Sequence, residues 1–365
     1  MSRFAKLHRG ERGQVLVLTA ITFVALLGMT GLATDVGMLM KTRRDLQNAA
    51  DAAAFAAVQE LPGCHNRTAA EGAAVQWVEK NHPVAEPAKQ ISVTVDNSGG
   101  YPCDTVRVTV RDTSNVFFLR ALGVASPEVD ATAAARITSL QGTNRLMPWG
   151  LTRDNSDCLN TGTNPPTPKF GSSCTVKVGA GDGSSGDYGA LDFDGNGGGS
   201  SEYRENIIDG TTERTYRVGD RTDTLTGNRT GPTDEGIDTR LDGETEGDNA
   251  ACDKDGDGDH EFWEIFTDLG AGRQPRYIVN EACQDSPRLG VVPIVDQINS
   301  PQQSTILGWA LMYLEGYKCV GGGGNCIGKG HWEVRMTMVD AIWSDLDGIF
   351  GTFKPGTPSR RELIQ

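Results

Sequence analysis

Twenty consecutive residues near the N-terminus, Gln14 to Ala33, carry no charge, and Gln14 is the only strongly polar one among them. As a helix rising about 1.5 Å per residue, this run spans roughly 30 Å, the thickness of a bilayer's hydrocarbon core. It occurs once. The rest of the chain is polar, acidic and cysteine-bearing, so the molecule reads as one membrane anchor carrying a large extracytoplasmic body. A cleaved signal peptide is the competing reading. The basic residues in front of the run suit it, but the run is longer than a usual signal core and no clear small-x-small site comes after it.

Arg3, Lys6, Arg9 and Arg12 precede the run, opposed only by Glu11, and Asp35 comes directly after it. The positive-inside rule places the N-terminus in the cytoplasm, although Lys41, Arg43 and Arg44 blunt the asymmetry. The cysteines point the same way. All eight lie beyond the run, at positions 64, 103, 158, 174, 252, 283, 319 and 326. No CxxC pair exists, which argues against zinc ribbons and thioredoxin-like sites. An oxidising compartment with up to four disulfides is the simplest account. Sequential pairing closes the shortest loops, and other connectivities stay open.

The formal net charge of −14 argues against nucleic acid as a partner and against docking of the body on anionic lipid, and suits a soluble outer body or cation binding. Many of the 46 glycines fall between Cys158 and Lys329. A body so rich in loops is short of continuous core, the situation in which disulfides help most.

Residues 38–61 lack Gly and Pro and are dominated by Ala, Leu, Gln and Glu, so the helix is expected to leave the membrane and run on to Pro62 and Gly63. Leu39, Leu46, Ala49, Ala53, Ala56 and Ala57 can share one stripe, either as a packing surface or along a simple stalk. Residues 91–95 and 105–110 alternate as strands around the turn-forming Asn97 to Gly100, which predicts a hairpin. A short helix is expected over 115–122, ended by Gly123, and a third strand over 129–137. Beyond Leu146 short strands, at 176–178, 290–295, 307–314 and 332–339, alternate with long loops. The stretch 220–257 reads as a loose surface insert.

The sharpest local motif is Asp253 to Glu264, DKDGDGDHEFWE. Counted from Asp253, carboxylates fall at positions 1, 3, 5, 7, 9 and 12, with Gly258 at position 6. This is nearly the calcium loop of an EF-hand, in which alternating carboxylates converge on a hard cation and a bidentate Glu closes the shell. Asp253, Asp255, Asp257, Asp259 and Glu264 are the candidate Ca²⁺ ligands. His260 stands where a buried aliphatic is usual, the preceding segment is a poor entering helix, and residues 262–269 suit an exiting one. Asp192 to Gly197 echoes the loop but reads better as a structural turn. His260-Glu261 lacks the second His of a zinc hydrolase. No GxSxG, no Walker loop and no GxGxxG opening a helix is present, so no catalytic or cofactor-binding set is expected. Gly321 to Gly324 reads as a loop closed by Cys319 and Cys326. Trp149, Trp263, Trp309 and Trp332 read as core or strand residues.

Residues 12–57 closely resemble the N-terminal region of TadG-like proteins, which are associated with the tight-adherence (Flp) pili of bacteria. The pieces that carry the likeness are Arg12-Gly13, the apolar run, GLATDVG at 31–37 and LQNAADAA at 46–53. GDYGALDFDG at 186–195, LTGNRTGPT at 225–233 and SPRLGVVPIVD at 286–296 look like motifs of the outer parts of such proteins. The resemblance implies a non-enzymatic, single-pass protein of the bacterial cell membrane, engaged with other Tad/Flp envelope or pilus components. Prepilin-type cleavage after Gly13 would want a Glu at the fifth mature position, where Leu18 stands, so an uncleaved anchor is expected.

The expected fold class is therefore α+β. A basic cytoplasmic tail (1–13) leads into a transmembrane helix (14–34), an Ala-rich juxtamembrane helix (35–62) and a small α+β unit (63–140). The remainder is a β-rich, loop-rich extracytoplasmic domain (141–365) with an acidic insert at 220–264. A calcium-binding surface module unrelated to pili is the alternative function.

Overall fold

A computed structural model of the chain describes residues 12–61, 64, 66–83, 90–124, 126–179, 187–193, 195, 199–210, 212–245, 247–271, 273, 275–299, 302–319 and 332–364. The loop between Cys319 and Cys326 lies outside them. The expected α+β class holds, and its largest element is a single helix, α1 (Arg12–Val58), 47 residues long. Its first half is the apolar run, whose large side chains stand exposed from Val15 to Leu32. Its second half turns apolar on one side only. Leu46, Ala49, Ala50, Ala53, Ala54, Ala57 and Val58 are fully buried, while Leu39, at the head of the expected stripe, is half-buried. Alanine has no side chain beyond Cβ, so the helix backbone lies close against what it covers.

A second helix, α2 (Arg67–Asn81), packs on α1 through Ala70, Ala74 and Val78. Asn66 starts it, its side-chain oxygen accepting the Ala69 N–H at 3.3 Å. Strands β1 (Ile91–Asp96) and β2 (Thr105–Thr113) form the expected hairpin. After the one-turn helix α3 (Phe118–Ala121) comes β3 (Glu128–Thr143), which pairs with β2 along nine residue positions. Val106, Val108 and Val110 of β2 and Ala131, Ala133, Ala135 and Ile137 of β3 face the two long helices in one core. The period-2 alternation of both strands leaves Arg107 and Arg111 outside.

The remaining strands are β4 (Leu151–Thr152), β5 (Leu159–Asn160), β6 (Thr167–Pro168), β7 (Ser173–Val178), β8 (Asp187–Asp192), β9 (Tyr216–Arg217) and β10 (Arg221–Thr226). They continue with β11 (Phe266–Asp268), β12 (Tyr277–Val279), β13 (Leu289–Val295), β14 (Ser304–Cys319), β15 (Trp332–Val339), β16 (Ala341–Ile342), β17 (Ile349–Thr352) and β18 (Ser359–Ile364). Among the described residues, one sheet runs β1-β2-β3-β18-β16-β12-β11, with β17 and β9 also on β3. A second runs β4-β13-β14-β10-β8, with β15 joining β14 to β7. A core of Leu140, Tyr216, Phe266 and Val279 from the first sheet and Val291, Ile306, Trp309 and Leu311 from the second lies between them. The outer face of the second sheet is covered by α4 (Ser200–Asp209) and α5 (Thr230–Asp242), through Tyr203, Ile207 and Ile237. Strand β13 is buried at all seven positions because one face looks to each core.

Among the described residues, three disulfides join Cys64 to Cys103, Cys158 to Cys174 and Cys252 to Cys283, sequential pairs with short loops. Trp149, Trp309 and Trp332 are core residues, whereas Trp263 is exposed. The stretch 220–257, expected as a loose insert, is built instead from β10, α5 and two 3₁₀ turns. A long-range bond set orders it. The buried Arg240 guanidinium donates to the carbonyls of Ile207, Ile208, Pro287 and Leu289, tying α4 and α5 to the start of β13.

One buried acid gives this body a pH signature. Asp340 sits between β15 and β16, and burial pushes its carboxyl up to about 7 against the opposing pull of the Arg276 backbone N–H. The folded protein therefore keeps a proton that the unfolded chain releases near pH 4. Its contribution to stability is complete below about pH 4 and is lost as pH rises toward 7, by up to about 1.4 kcal/mol per pH unit. The urea midpoint should accordingly fall less between pH 4.5 and 7 in Asp340→Asn than in the wild type. Equal falls would show that Asp340 is not the source.

Candidate functional site

The acidic loop starts immediately after the disulfide-bonded Cys252 and ends inside the one-turn helix α6 (Phe262–Ile265). Its backbone is folded by its own carboxylates. Asp253 accepts the N–H groups of Gly256 at 2.7 Å and Gly258 at 2.9 Å, Asp255 accepts that of Asp257, and Asp257 that of Asp259 at 3.0 Å. Gly258, at position 6, has φ of +95°, a conformation that costs glycine little and other residues more. The Gly256 and Gly258 donors hold the Asp253 carboxyl below its usual range.

These turns bring ligand oxygens of Asp253, Asp255 and Asp257 within 4.8 Å of one another, and those of Asp255, Glu261 and Glu264 likewise. Asp255 belongs to both groups, so positions 1, 3, 5, 9 and 12 of the loop adjoin. Glu264 is fully buried, and its two oxygens accept the N–H groups of Lys254 at 2.5 Å and Glu261 at 3.2 Å. The hydrogen bond between the two carboxyls pushes Glu261 up to about 7. Burial would raise Glu264 as well, but its backbone donors and the Glu261 proton outweigh that and hold it low. The arrangement is one in which a cation can take the place of a shared proton.

Asp259 departs from the set. Its carboxylate lies 3.2 Å from the Arg288 guanidinium, which also holds the buried Glu244 at 2.5 and 3.2 Å. Glu244 in turn accepts the His260 backbone N–H. His260 is completely buried, its Nδ1 2.9 Å from Ser286 Oγ and its carbonyl accepting the Tyr313 hydroxyl. It thus fills the position of the usual aliphatic with a hydrogen-bonded ring. The exiting helix expected over 262–269 is a single turn, because Phe266, Thr267 and Asp268 pair with β12 instead. The echo at Asp192 is a turn, Asp192 accepting the Gly195 N–H; Asp194 and residues 196–198 lie outside the described residues.

A second constellation sits where the apolar half of α1 gives way to the alanine half. The Asp35 carboxylate is buried and accepts three consecutive backbone N–H groups, from Phe117 at 2.9 Å, Phe118 at 2.8 Å and Leu119 at 2.6 Å. These are the unpaired donors at the start of α3, whose own N-cap residue, Phe117, offers no acceptor side chain. Burial would raise the Asp35 carboxyl, but the three donors outweigh it and hold it low. One turn earlier on α1, the Phe118 ring occupies the space a side chain at Gly31 would need, so that a Cβ there would overlap it. Thr42 Oγ1 and Ser114 Oγ, 3.1 Å apart, add a third tie. Asp35 and Gly31 both belong to the GLATDVG stretch, and both serve the same short helix.

Comparison with known proteins bears on this end of the chain. Residues 13–60 match the Tad family, described as "Putative Flp pilus-assembly TadE/G-like", and residues 37–135 match Tad_C, "Putative Tad-like Flp pilus-assembly". This is a TadG-like N-terminal region. No curated protein and no solved structure matches the chain. The first match covers α1, and the second runs from the alanine half of α1 through α2, the β1–β2 hairpin and α3 into β3. The TadG-like segment therefore ends part-way along the strand on which the C-terminal β17 and β18 assemble. The acidic loop lies beyond both matches.

Sequence reasoning placed Asp253, Asp255, Asp257 and Glu264 where their oxygens adjoin. It put Asp259 there too, although Arg288 draws that side chain away, and it left Glu261 out of the ligand set although position 9 names it. Glu244, Ser286, Arg288 and Tyr313, which brace the loop, have no local signature. Asp35 had one, as the first charge after an apolar run, but its partners lie more than 80 positions away.

Arg288 and Glu244 form a buried pair, so removing one member strands the other. Arg288→Met should lower stability by about 3–5 kcal/mol, and Glu244→Met added to it should recover most of that loss. Chemical denaturation of the two variants checks this, and a single-variant loss below about 1 kcal/mol would mean the pair does not hold the loop in place.

Proposed function

We propose that this chain is a membrane-anchored, non-enzymatic envelope protein of Flp/Tad-type pilus assembly, with residues 14–34 in the bilayer and the body on the extracytoplasmic side. The observation that carries the reading is the division of α1. One continuous helix is exposed, uncharged and strongly hydrophobic over a bilayer's thickness, then buried through an alanine face in a disulfide-bonded body. No polar solvent suits the first half, and the second half is already part of a folded domain. The TadG-like matches cover that same helix and supply the assignment to pilus assembly.

Partner contacts fall to the membrane-proximal face. There Val36, Leu39, Met40, Arg43 and Gln47 of α1 and Glu128 to Thr132 of β3 line an open groove of about 600 Å³. A protein that works by docking needs such a surface and no catalytic set. Electron microscopy of surface filaments tests this reading. Deleting the gene should abolish or shorten them, the full chain should restore them, and a version secreted without residues 1–34 should not. Unchanged filaments in the deletion strain would end the assembly role.

Calcium is the second reading, favoured by the adjoining oxygens of Asp253, Asp255, Asp257, Glu261 and Glu264. A hard cation takes six to eight oxygens at about 2.4 Å, and these five carboxylates are the oxygens the loop could offer it. Bound there, Ca²⁺ would brace the segment between Cys252 and α6, a structural rather than chemical task. At millimolar Ca²⁺ the melting temperature should rise by several degrees for the wild type and stay unchanged for Glu264→Gln and Asp253→Asn. Equal shifts in all three proteins would remove the loop as the site.

A further inference from the structure

We propose that the segment 115–124 is a second membrane contact: α3 lies in the bilayer interface beside the anchor and fixes the height at which the body stands. The inference rests on the reading of residues 14–34 as the anchor. Its substance is the level at which α3 is attached. Gly31 lies two residues before the end of the apolar run, about 3 Å along the helix axis. The Phe118 ring covers Gly31 directly, so it sits at the edge of the hydrocarbon whenever the run fills it.

Around that point the segment shows the composition of a membrane-facing surface. Phe117 is 78% exposed and Leu122 73%, and Phe118 and Val124 are also open to solvent. Four large apolar side chains on one short turn make an unusual patch on a soluble surface. Residues 115–124, NVFFLRALGV, hold one charge, Arg120, and no acid, in a chain whose net charge is −14. This stretch is thus spared the negative charge that would repel anionic headgroups, and its long Arg120 side chain can reach them while the apolar neighbours sink.

The attachment is rigid in a way that suits this role. The three Asp35 hydrogen bonds use up the donors that a buried or interfacial helix start would otherwise leave unpaired. Asp35 thereby resolves two problems at once. It hides its own charge next to the hydrocarbon and it satisfies backbone groups that water will not reach. The Thr42–Ser114 contact holds the approach to the segment against α1. The anchor and α3 then enter the membrane as one wedge, and the body can neither slide along the helix nor tilt freely about it.

Photo-crosslinking of the full chain in vesicles of phosphatidylethanolamine and phosphatidylglycerol tests the proposal. Benzoylphenylalanine replaces Leu27, Phe117, Leu122 or Trp263, one at a time, and lipid adducts are read by mass spectrometry. Adducts at 27, 117 and 122 and none at 263 are expected. Adducts at 27 alone would overturn the α3 contact and leave the anchor standing, and so would crosslinks from 117 or 122 to a second copy. No adduct at 27 would sink the anchor reading and this inference with it. In the Leu122 background, Asp35→Ala should cut the lipid adduct several-fold while leaving the Leu27 adduct unchanged. Gly31→Val, which drives out the Phe118 ring without touching the carboxylate, should do the same, and undiminished adducts in both would show that neither residue sets the position of α3.

Discussion

The alanine face of α1 is the contact on which the rest of this structure depends. A helix that leaves an apolar environment needs somewhere to put its far end, because helical propensity alone does not stabilise it in water. Here Ala50, Ala53, Ala54 and Ala57 lie directly on the valines of β2 and the alanines of β3. Small residues on both sides let the helix axis approach the sheet closely, so the packing is short-range and intolerant of bulk. One continuous helix thereby carries both the exposed apolar run and the packed alanine face, and no hinge separates them among the described residues.

That continuity gives the second half of the molecule a defined relation to the first. Strand β3 meets the helices through its N-terminal half and, from Leu140 on, contributes to the core between the two sheets. The C-terminal strand β18 pairs along it, and Arg361 of β18 reaches the end of α1, donating to the Phe55 carbonyl at 3.2 Å and to Gln59. A cation at a helix C-terminus is favourably placed against the helix dipole. The first and last elements of the fold are thus stitched together on one strand. A load applied to the second sheet would pass to α1 through β3 along paired strands.

Features that depend on neighbours in sequence are legible without the structure. The apolar run, the alanine stripe, the β1–β2 hairpin with its Asn97–Gly100 turn and the strands 290–295 and 332–339 each carry their period or turn chemistry locally. Helix α2 carries equally local signals, Asn66 as its cap and a run of good helix formers, although the expected α+β unit did not include it. The order within 220–257 was not readable. Its acid-rich, glycine-rich composition has the look of a loose loop, and long-range ties make it otherwise: β10 pairs with β8 and β14, Ile237 enters the core, and Arg240 reaches four carbonyls on other elements. At the acidic loop the spacing gave the carboxylates, but the departure of Asp259 depends on Arg288, 29 positions away. Local pattern fixes which groups are available, and long-range packing decides where they point.

The two acidic constellations solve one electrostatic problem by different means. Asp35 is buried alone, and backbone N–H groups stabilise its charge, so it needs no ion and can sit where solvent is scarce. The loop from Asp253 to Glu264 gathers more carboxylates than its backbone donors can satisfy. Glu264 beside it pushes the Glu261 carboxyl up, which lessens the repulsion, and Arg288 draws Asp259 aside. Such a cluster holds its shape when something positive shares it. A cation there would brace the segment that leaves the Cys252–Cys283 disulfide and leads through α6 into β11.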